Sequence, residues 1–423
     1  MKISHKLFRL WPLLVLLPAV VFKFYIWMGT SPIVLERTAS YTQSAMEIIE
    51  HGTYSGIETY RRTPGYPFFL AGTLRVAEGS MRAVTFAQHL LGLAIAAMIM
   101  RIAFLLWESR VAASLAGLLI SFHPSFMYYE SAIESEILAI FLFSIMLLLL
   151  IEGLIPKRFI SRRMFAAGLA GGAAALTRPE LSACIIVPTV FLLWKTRAIK
   201  PAVYFFLPFA ALLSFWMLRN LALFNHFQLS PWGAVTSLQT SGPFIDWDSP
   251  KHAGFKKIYR EILEEKKGNH LGVVNLTISR MMSRQYSFKE VMIDAAELGS
   301  ETAFKHPFRY LWATRINFWN FLASILVKPG DVSDPAPSTP FPLDFFVKSL
   351  FLLSALGLIT GVVSASGEGF LLISLCAFCI MTANCIADVG VNRRSFEVLP
   401  MLALFSSYFY VFVSSSVKRM LKR

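Results

Sequence analysis

An all-α, polytopic membrane protein is predicted by three features of this 423-residue chain. Hydrophobic residues make up 55% of it and charged residues only 16%, where a soluble protein of this size carries about 25% charge. Mean hydropathy is +0.56, and the apolar residues gather in long runs rather than in the short periodic patches of a water-soluble core. Lysine and arginine cluster in short segments between those runs, so membrane topology accounts for the formal net charge of +14. Nucleic acid is not expected as a partner.

Apolar runs of spanning length fall near 10–29, 83–106, 111–127, 136–154, 164–177, 181–194, 202–219, 343–363, 368–387 and 396–416. They predict a bundle of about ten transmembrane helices. Lys2, Lys6 and Arg9 precede the first run; Lys157, Arg158, Arg162 and Arg163 follow the fourth. Lys195, Arg197 and Lys200 follow the sixth, and Lys418, Arg419, Lys422 and Arg423 come after the last. Threading the runs in order places all four clusters on one side, which is then cytoplasmic, with both termini inside. The first run lacks a small-residue cleavage site and reads as a signal anchor that stays in place. The chain divides into an N-terminal anchor span (1–29), a first outer loop with juxtamembrane helices (30–82) and a transmembrane core (83–219). A mostly helical outer, periplasmic segment (220–340) follows, then C-terminal transmembrane helices with a cytoplasmic tail (341–423). The plasma (inner) membrane is the expected location, since no ER retention signal is present.

In the first outer loop Tyr41, Ala45, Ile48 and Ile49 recur at helical spacing, predicting a short amphipathic helix on the membrane surface that Gly52 ends. Arg61-Arg62-Thr63-Pro64-Gly65-Tyr66-Pro67 reads as a stiff cationic turn. Gly168, Gly171 and Gly172 leave room for a neighbouring helix. In the outer segment Phe255–Lys267 and Ser287–Phe304 are helix-like. Pro307–Val327, aromatic-rich with Arg309 and Arg315 embedded, reads as an interfacial helix, and Asp331–Pro342 as a Pro-rich linker. Cys184, Cys376, Cys379 and Cys385 all lie in apolar runs, which assigns them to core packing.

Ionisable residues at membrane depth are costly, so each needs a partner or a function. Glu134 and Glu136 stand at the mouth of the fourth run after His123-Pro124, either as hydrated or capping carboxylates or as site residues. Arg178, in Leu-Thr-Arg-Pro-Glu, is either a snorkelling cation or a site residue. Arg219-Asn220 and Arg393-Arg394 fall outside, against the positive-inside trend. They serve either a phosphate, which guanidinium binds bidentately, or an ion pair with Glu180, Asp388 or Glu397. The chain has no HExxH, HxxxH or Cys/His cluster, so no zinc site is expected. No Walker A or GxGxxG sequence opens a nucleotide fold, so the activated substrate is expected from the membrane.

Several segments match a known pattern in order: Tyr41-x3-Ala45 with Gly52-x-Tyr54, then Arg62-Thr-Pro-Gly-Tyr-Pro67, then His123-Pro124 with Ser135-Glu136. Gly168-x2-Gly171-Gly172 with Leu176-Thr-Arg-Pro-Glu180 comes next, followed by Trp216-x2-Arg219-Asn220 with Phe224-Asn-His-Phe227. His306-Pro307-x2-Tyr310 and Arg393-Arg394 with Pro400 complete it. Across almost its whole length the chain thus resembles the C-type (GT-C) integral-membrane glycosyltransferases that use polyprenyl-phosphate sugars, the protein O-mannosyltransferase and aminoarabinose-transferase-like group.

That resemblance implies a GT-C-like bundle moving a sugar from a polyprenyl-phosphate-linked donor to an acceptor lipid, glycan or protein at the outer face, with inversion. Membrane lipid, donor and acceptor are the implied partners, the donor serving as co-substrate; it leaves a divalent metal open. Family members carry an Asp a few residues before the first-loop tyrosine. Here Arg37-Thr38-Ala39-Ser40 precede Tyr41, so the base role falls to Glu36, with Glu136 as second candidate. Arg178, with Arg62, Arg393 and Arg394, takes the donor phosphate. Tyr41, Tyr66 and Trp232 line the sugar or acceptor cleft, and residues 240–330 cover it. The displaced carboxylate leaves a non-catalytic, lipid-carrier-binding member as an alternative. A transporter or flippase of a lipid-linked or anionic solute is the other, although it predicts charges near the bilayer midplane and paired broken helices.

Overall fold

A backbone in hydrocarbon must satisfy its own hydrogen bonds, so each apolar run folds as helix. The computed structural model describes residues 10–35, 37–56, 58–154, 161–270, 272–326, 341–364, 367–387 and 396–420. Helix α1 (Trp11–Gly29) leads into the first loop, which holds α2 (Thr38–His51), α3 (Glu58–Arg61) and α4 (Gly65–Val76). The chain then traverses the bundle as α5 (Met81–Trp107), α6 (Arg110–Ser121) with α7 (Pro124–Ser131), α8 (Glu136–Leu154) and α9 (Ser161–Thr177). A 3-10 turn, Pro179–Ile185, runs into α10 (Ile186–Thr196), and α11 (Ile199–Phe224) follows. The outer segment supplies α12 (Trp232–Ser241), α13 (Ala253–Glu265), α14 (Val273–Ser283), α15 (Phe288–Lys305) and α16 (Pro307–Leu326). Three helices finish the bundle: α17 (Phe341–Val363), α18 (Glu368–Ala387) and α19 (Leu399–Met420).

Every run expected to span falls on one of these elements. Among the described residues seven helices are long and apolar enough to cross a membrane, and α6 with α7, bent by 48°, makes an eighth. The bend falls where His123 caps α7, its Nδ1 accepting the Ser125 N–H at 3.2 Å. The runs at 164–177 and 343–363 correspond to α9 and α17.

Side-chain size sets how closely α9 and α11 pack. A Cβ on Gly168 would stand 2.1 Å from the Phe205 carbonyl, and one on Gly171 would stand 2.6 Å from the Phe209 ring. The α9 glycines thus let α11 approach, as the sequence predicts. One end of the bundle gathers Arg101 and Arg163 around Glu152, with Lys195 on Glu368. The other, the loop end, carries α2–α4 and α12–α15.

The apolar side of α2 does not lie on a membrane surface as expected. Tyr41 and Ala45 are buried with Tyr66, Leu70 and Leu74 of α4 and with Ile133, because α4 offers an apolar protein face directly opposite. Gly52 closes α2 at φ +64°, its N–H bonding the Ile48 carbonyl at 3.1 Å. Helices α12–α15 enclose a core of their own around Phe255, Tyr259, Val274 and Met292, completed by Tyr60 of the first loop and Phe224 of α11. Helix α16 buries Asn317, which donates to Thr240 Oγ1 at 3.1 Å and to the Cys385 carbonyl at 3.0 Å. Phe308, Trp312 and Trp319 stand exposed on the same helix. Cys184, Cys376 and Cys385 are buried in the core. Residues 331–340 of the expected linker lie outside the described residues, and its last two open α17.

Substituting Gly168→Ala should lower stability by about 1–3 kcal/mol, the usual effect of overpacking. Gly72→Ala, where an added Cβ meets nothing within 4 Å inside a helix, should instead raise it by about 0.5–1 kcal/mol; thermal unfolding in one detergent compares the two.

Candidate functional site

At the loop end the helix termini and the first loop enclose a cavity of about 330 Å³. Its wall comes from Tyr41 of α2, Arg61–Thr63, Ser135, the stretch Thr177–Glu180 and, from the outer segment, Ser230 and Trp232. The first loop reaches it because Gly65 has no side chain. A Cβ there would stand 2.2 Å from Thr177 Oγ1 and 2.9 Å from Thr177 Cα. Thr63 Oγ1 donates to the Thr177 carbonyl at 3.3 Å, so the Arg-Thr-Pro-Gly turn sits directly on the Leu-Thr-Arg-Pro-Glu turn.

Two guanidinium groups of the first loop face this space, each laid on an aromatic ring. Arg62 lies 4.5 Å over the Tyr41 ring, and its Nε donates to Ser40 Oγ at 2.9 Å. The Tyr41 hydroxyl donates to Ser135 Oγ at 3.3 Å. Arg61 lies 4.7 Å over Trp232, and its carbonyl accepts the Ser230 hydroxyl at 3.0 Å. Cation–π contacts of this kind fix a guanidinium plane.

Arg178 is buried and holds three carboxylates. Its NH1 donates to Glu136 Oε1 at 2.6 Å, NH2 to Glu180 Oε1 at 2.6 Å and Nε to Glu397 Oε1 at 2.5 Å. It is therefore no snorkelling cation. Glu136 is fully buried and not on the cavity wall. Glu134 is also fully buried and meets Arg37 Nε at 3.5 Å. Glu180 is different, with one oxygen on Arg178 and its side chain 11% exposed at the wall.

Tyr66 lies behind the wall, where its hydroxyl donates to Gln88 Oε1 at 2.9 Å and its ring packs edge-on to Tyr41 at 5.0 Å. Burial, then the nearby Glu134, raises its phenol well above the ordinary range, so it stays protonated. Arg219 is engaged away from the cavity, donating to Thr59 Oγ1 at 2.6 Å and to the Tyr54 carbonyl and lying 4.5 Å over Trp216. It ties the first loop to α11.

Of the residues expected at a site, Tyr41, Arg62, Arg178 and Trp232 share the wall, Glu136 supports it and Tyr66 backs it. Glu36, Arg393 and Arg394 lie outside the described residues. Sequence reasoning did not assign Arg61 or Glu180 to the site, although Glu180 ends a recognised motif and Arg61 directly precedes one. Among the described residues no cluster of three His, Cys, Asp or Glu side chains is placed to hold a metal ion.

With this geometry in view, known proteins are informative. Residues 61–218, starting at the wall's own Arg61, match the family model of dolichyl-phosphate-mannose-protein mannosyltransferases. No curated protein sequence matches the chain. Solved structures similar to it include the archaeal oligosaccharyltransferase AglB from Archaeoglobus fulgidus in complex with an inhibitory peptide and a dolichol-phosphate. The match has a TM-score of 0.51 at 12% identity and covers 98% of this chain and 52% of that one. The Archaeoglobus fulgidus oligosaccharyltransferase complexed with zinc and sulfate matches at a TM-score of 0.56 and 13% identity, covering 95% and 49%. ArnT from Cupriavidus metallidurans bound to undecaprenyl phosphate matches at 0.40 and 15% identity, covering 93% and 77%. The chain spans about half the length of the oligosaccharyltransferases it matches. The shared architecture is the membrane bundle of the C-type glycosyltransferases.

Arg178→Met strips three carboxylates, two of them buried, of their common guanidinium, and breaking such buried pairs costs about 3–5 kcal/mol. The thermal midpoint should fall accordingly, and Arg178→Lys should not restore it, because one ammonium cannot present three coplanar N–H edges.

Proposed function

We propose that the chain is a membrane glycosyltransferase that takes a sugar from a polyprenyl-phosphate-linked donor and passes it to an acceptor hydroxyl or amine inside this cavity. The single observation that carries the reading is the combination on one wall of two ring-stacked guanidiniums, Arg61 and Arg62, with the partly exposed carboxylate of Glu180. The family match over residues 61–218 and the fold shared with a dolichol-phosphate-bound oligosaccharyltransferase support it.

The donor phosphate lies against Arg61 and Arg62, with Arg393 and Arg394 as further phosphate ligands, and the sugar rests between Tyr41 and Trp232. An acceptor oxygen or nitrogen attacks the anomeric carbon while the bond from that carbon to the phosphate oxygen breaks. Polyprenyl phosphate leaves with the bonding electrons, and the acceptor proton passes to a carboxylate. A single displacement inverts the anomeric centre. The guanidiniums stabilise the charge that grows on the leaving phosphate. Arg178 aims Glu180 rather than binding phosphate, and Glu180 takes the proton; Glu36 is the rival base from the family pattern. The cavity faces outward from the plasma membrane, where the positive-inside pattern puts the loop end.

The test supplies purified protein in lipid with radiolabelled polyprenyl-phosphate sugars and a membrane extract as acceptor source, following donor binding and sugar loss separately. Glu180→Gln should keep donor binding and lower turnover by about 10²–10⁴-fold, as removal of a general base does. Arg61→Met and Arg62→Met should weaken donor binding. Full turnover in Glu180→Gln with loss in Glu36→Gln would transfer the base role to Glu36. Binding without turnover for every donor would mark a non-catalytic, lipid-carrier-binding protein.

A further inference from the structure

A second set of buried charges lies inside the bundle, away from the cavity. Lys23 of α1, His89 of α5 and Glu130 of α7 are 2%, 4% and 0% exposed. Lys23 Nζ donates to both carboxylate oxygens of Glu130, at 2.6 Å for Oε2, and His89 Nδ1 lies 2.7 Å from the same Oε2. Gly92 makes the socket: a Cβ there would stand 1.7 Å from Glu130 Oε1. Lys23 lies six residues before the end of α1, which at 1.5 Å per residue puts it about 9 Å inside the helix terminus. Charges at such depth are retained for a reason, yet no residue of this triad touches the cavity.

The triad stands at one end of a continuous set of ties between two chain segments. Directly after Glu130, the Ile33 N–H bonds the Ser131 carbonyl at 2.8 Å, and the Ile133 N–H bonds the Ile33 carbonyl at 3.0 Å. Thr38 Oγ1 then donates to the Ile133 carbonyl at 3.3 Å, Arg37 meets Glu134, and Tyr41 meets Ser135 at the cavity wall. A second route starts one residue before His89. The Gln88 amide donates to the carbonyls of Glu130 and Ala132 at 3.1 and 2.6 Å and accepts the hydroxyl of Tyr66, on which Tyr41 packs. Ile33, Arg37, Thr38 and Tyr41 are therefore each tied to the stretch 131–135, with Lys23 and Glu130 at one end of this set of contacts and Tyr41 and Ser135 at the other.

We propose that Lys23, Glu130 and His89 are positioning residues: the ion-paired triad fixes how far α1 is drawn along the bundle, and so sets how Ile33, Arg37 and Thr38 seat on residues 131–135, which brings Tyr41, and Arg62 upon it, to the cavity wall. Its effect on transfer rests on the function proposed above, whereas its effect on that seating does not.

The experiment uses the full chain in lipid nanodiscs and compares wild type, Glu130→Gln and the double variant Lys23→Met with Glu130→Gln. Hydrogen exchange is read over residues 30–42 and 129–136, with α13 as internal reference, beside turnover per folded protein. Glu130→Gln leaves Lys23 charged and buried, which favours misfolding; the double variant is charge-balanced and should insert and melt close to wild type. Both should exchange about ten-fold faster or more at the Ile33 and Ile133 amides while α13 is unchanged, as local opening dictates. Both should also lose turnover while donor affinity measured on folded protein changes less. A folded double variant with wild-type exchange at Ile33 and Ile133 overturns the proposal, since the triad would then serve stability alone. If the wild type turns over no donor, the proposed function fails and the exchange measurement alone decides the positioning role.

Discussion

The loop end of this bundle depends on one guanidinium. Arg178 presents its Nε, NH1 and NH2 edges to three different carboxylates, on α8, on the 3-10 turn and just ahead of α19. A carboxylate removed from water is expensive unless it is bonded and paired, so each of the three elements is held where the planar fork can reach it. The cavity wall inherits that geometry. Glu180 owes its orientation to the residue two positions before it, and Glu136 serves as an anchor behind the wall. Arg178 organises the site, while Arg61, Arg62 and Glu180 line the cavity with it.

Two kinds of contact bring the first loop into the same geometry. Missing side chains let backbones touch, as where Gly65 rests on Thr177. Arginines placed on aromatic rings then fix what those approaches permit. Arg219 holds the loop from α11, while Arg61 and Arg62 hold Trp232 and Tyr41. The same residue type thus performs a mechanical task at 219 and faces open space at 61 and 62.

The bundle was legible in the sequence because the need for internal backbone hydrogen bonds turns long apolar runs into helices. The Gly168–Gly172 stripe was legible because absent side chains leave one interpretation. The surroundings of α2 were not, since an amphipathic face looks the same whether lipid or α4 covers it. Ion-pair partners were least legible. Arg178 and Glu397 lie 219 positions apart, and Lys23 and Glu130 lie 107 apart. In sequence each reads as a solitary charge at membrane depth, and Lys23 and His89 passed unremarked inside apolar runs. The weighing of an ion pair against a phosphate site placed Glu180 and Glu397 among the partners but attached them to other arginines.

The distance between Arg178 and Glu397 also bears on how the chain is made. Residues emerge in order during synthesis, so Arg178, Glu136 and Glu180 are all present well before the final helix. Their shared guanidinium must wait for Glu397, which emerges only once α18 has passed. Tyr60 likewise precedes by far the helices whose core it completes. The carboxylate cluster on Arg178 is therefore completed only after α18 has emerged, and a ribosome-bound nascent chain stopped before α19 lacks the partner that Glu397 supplies.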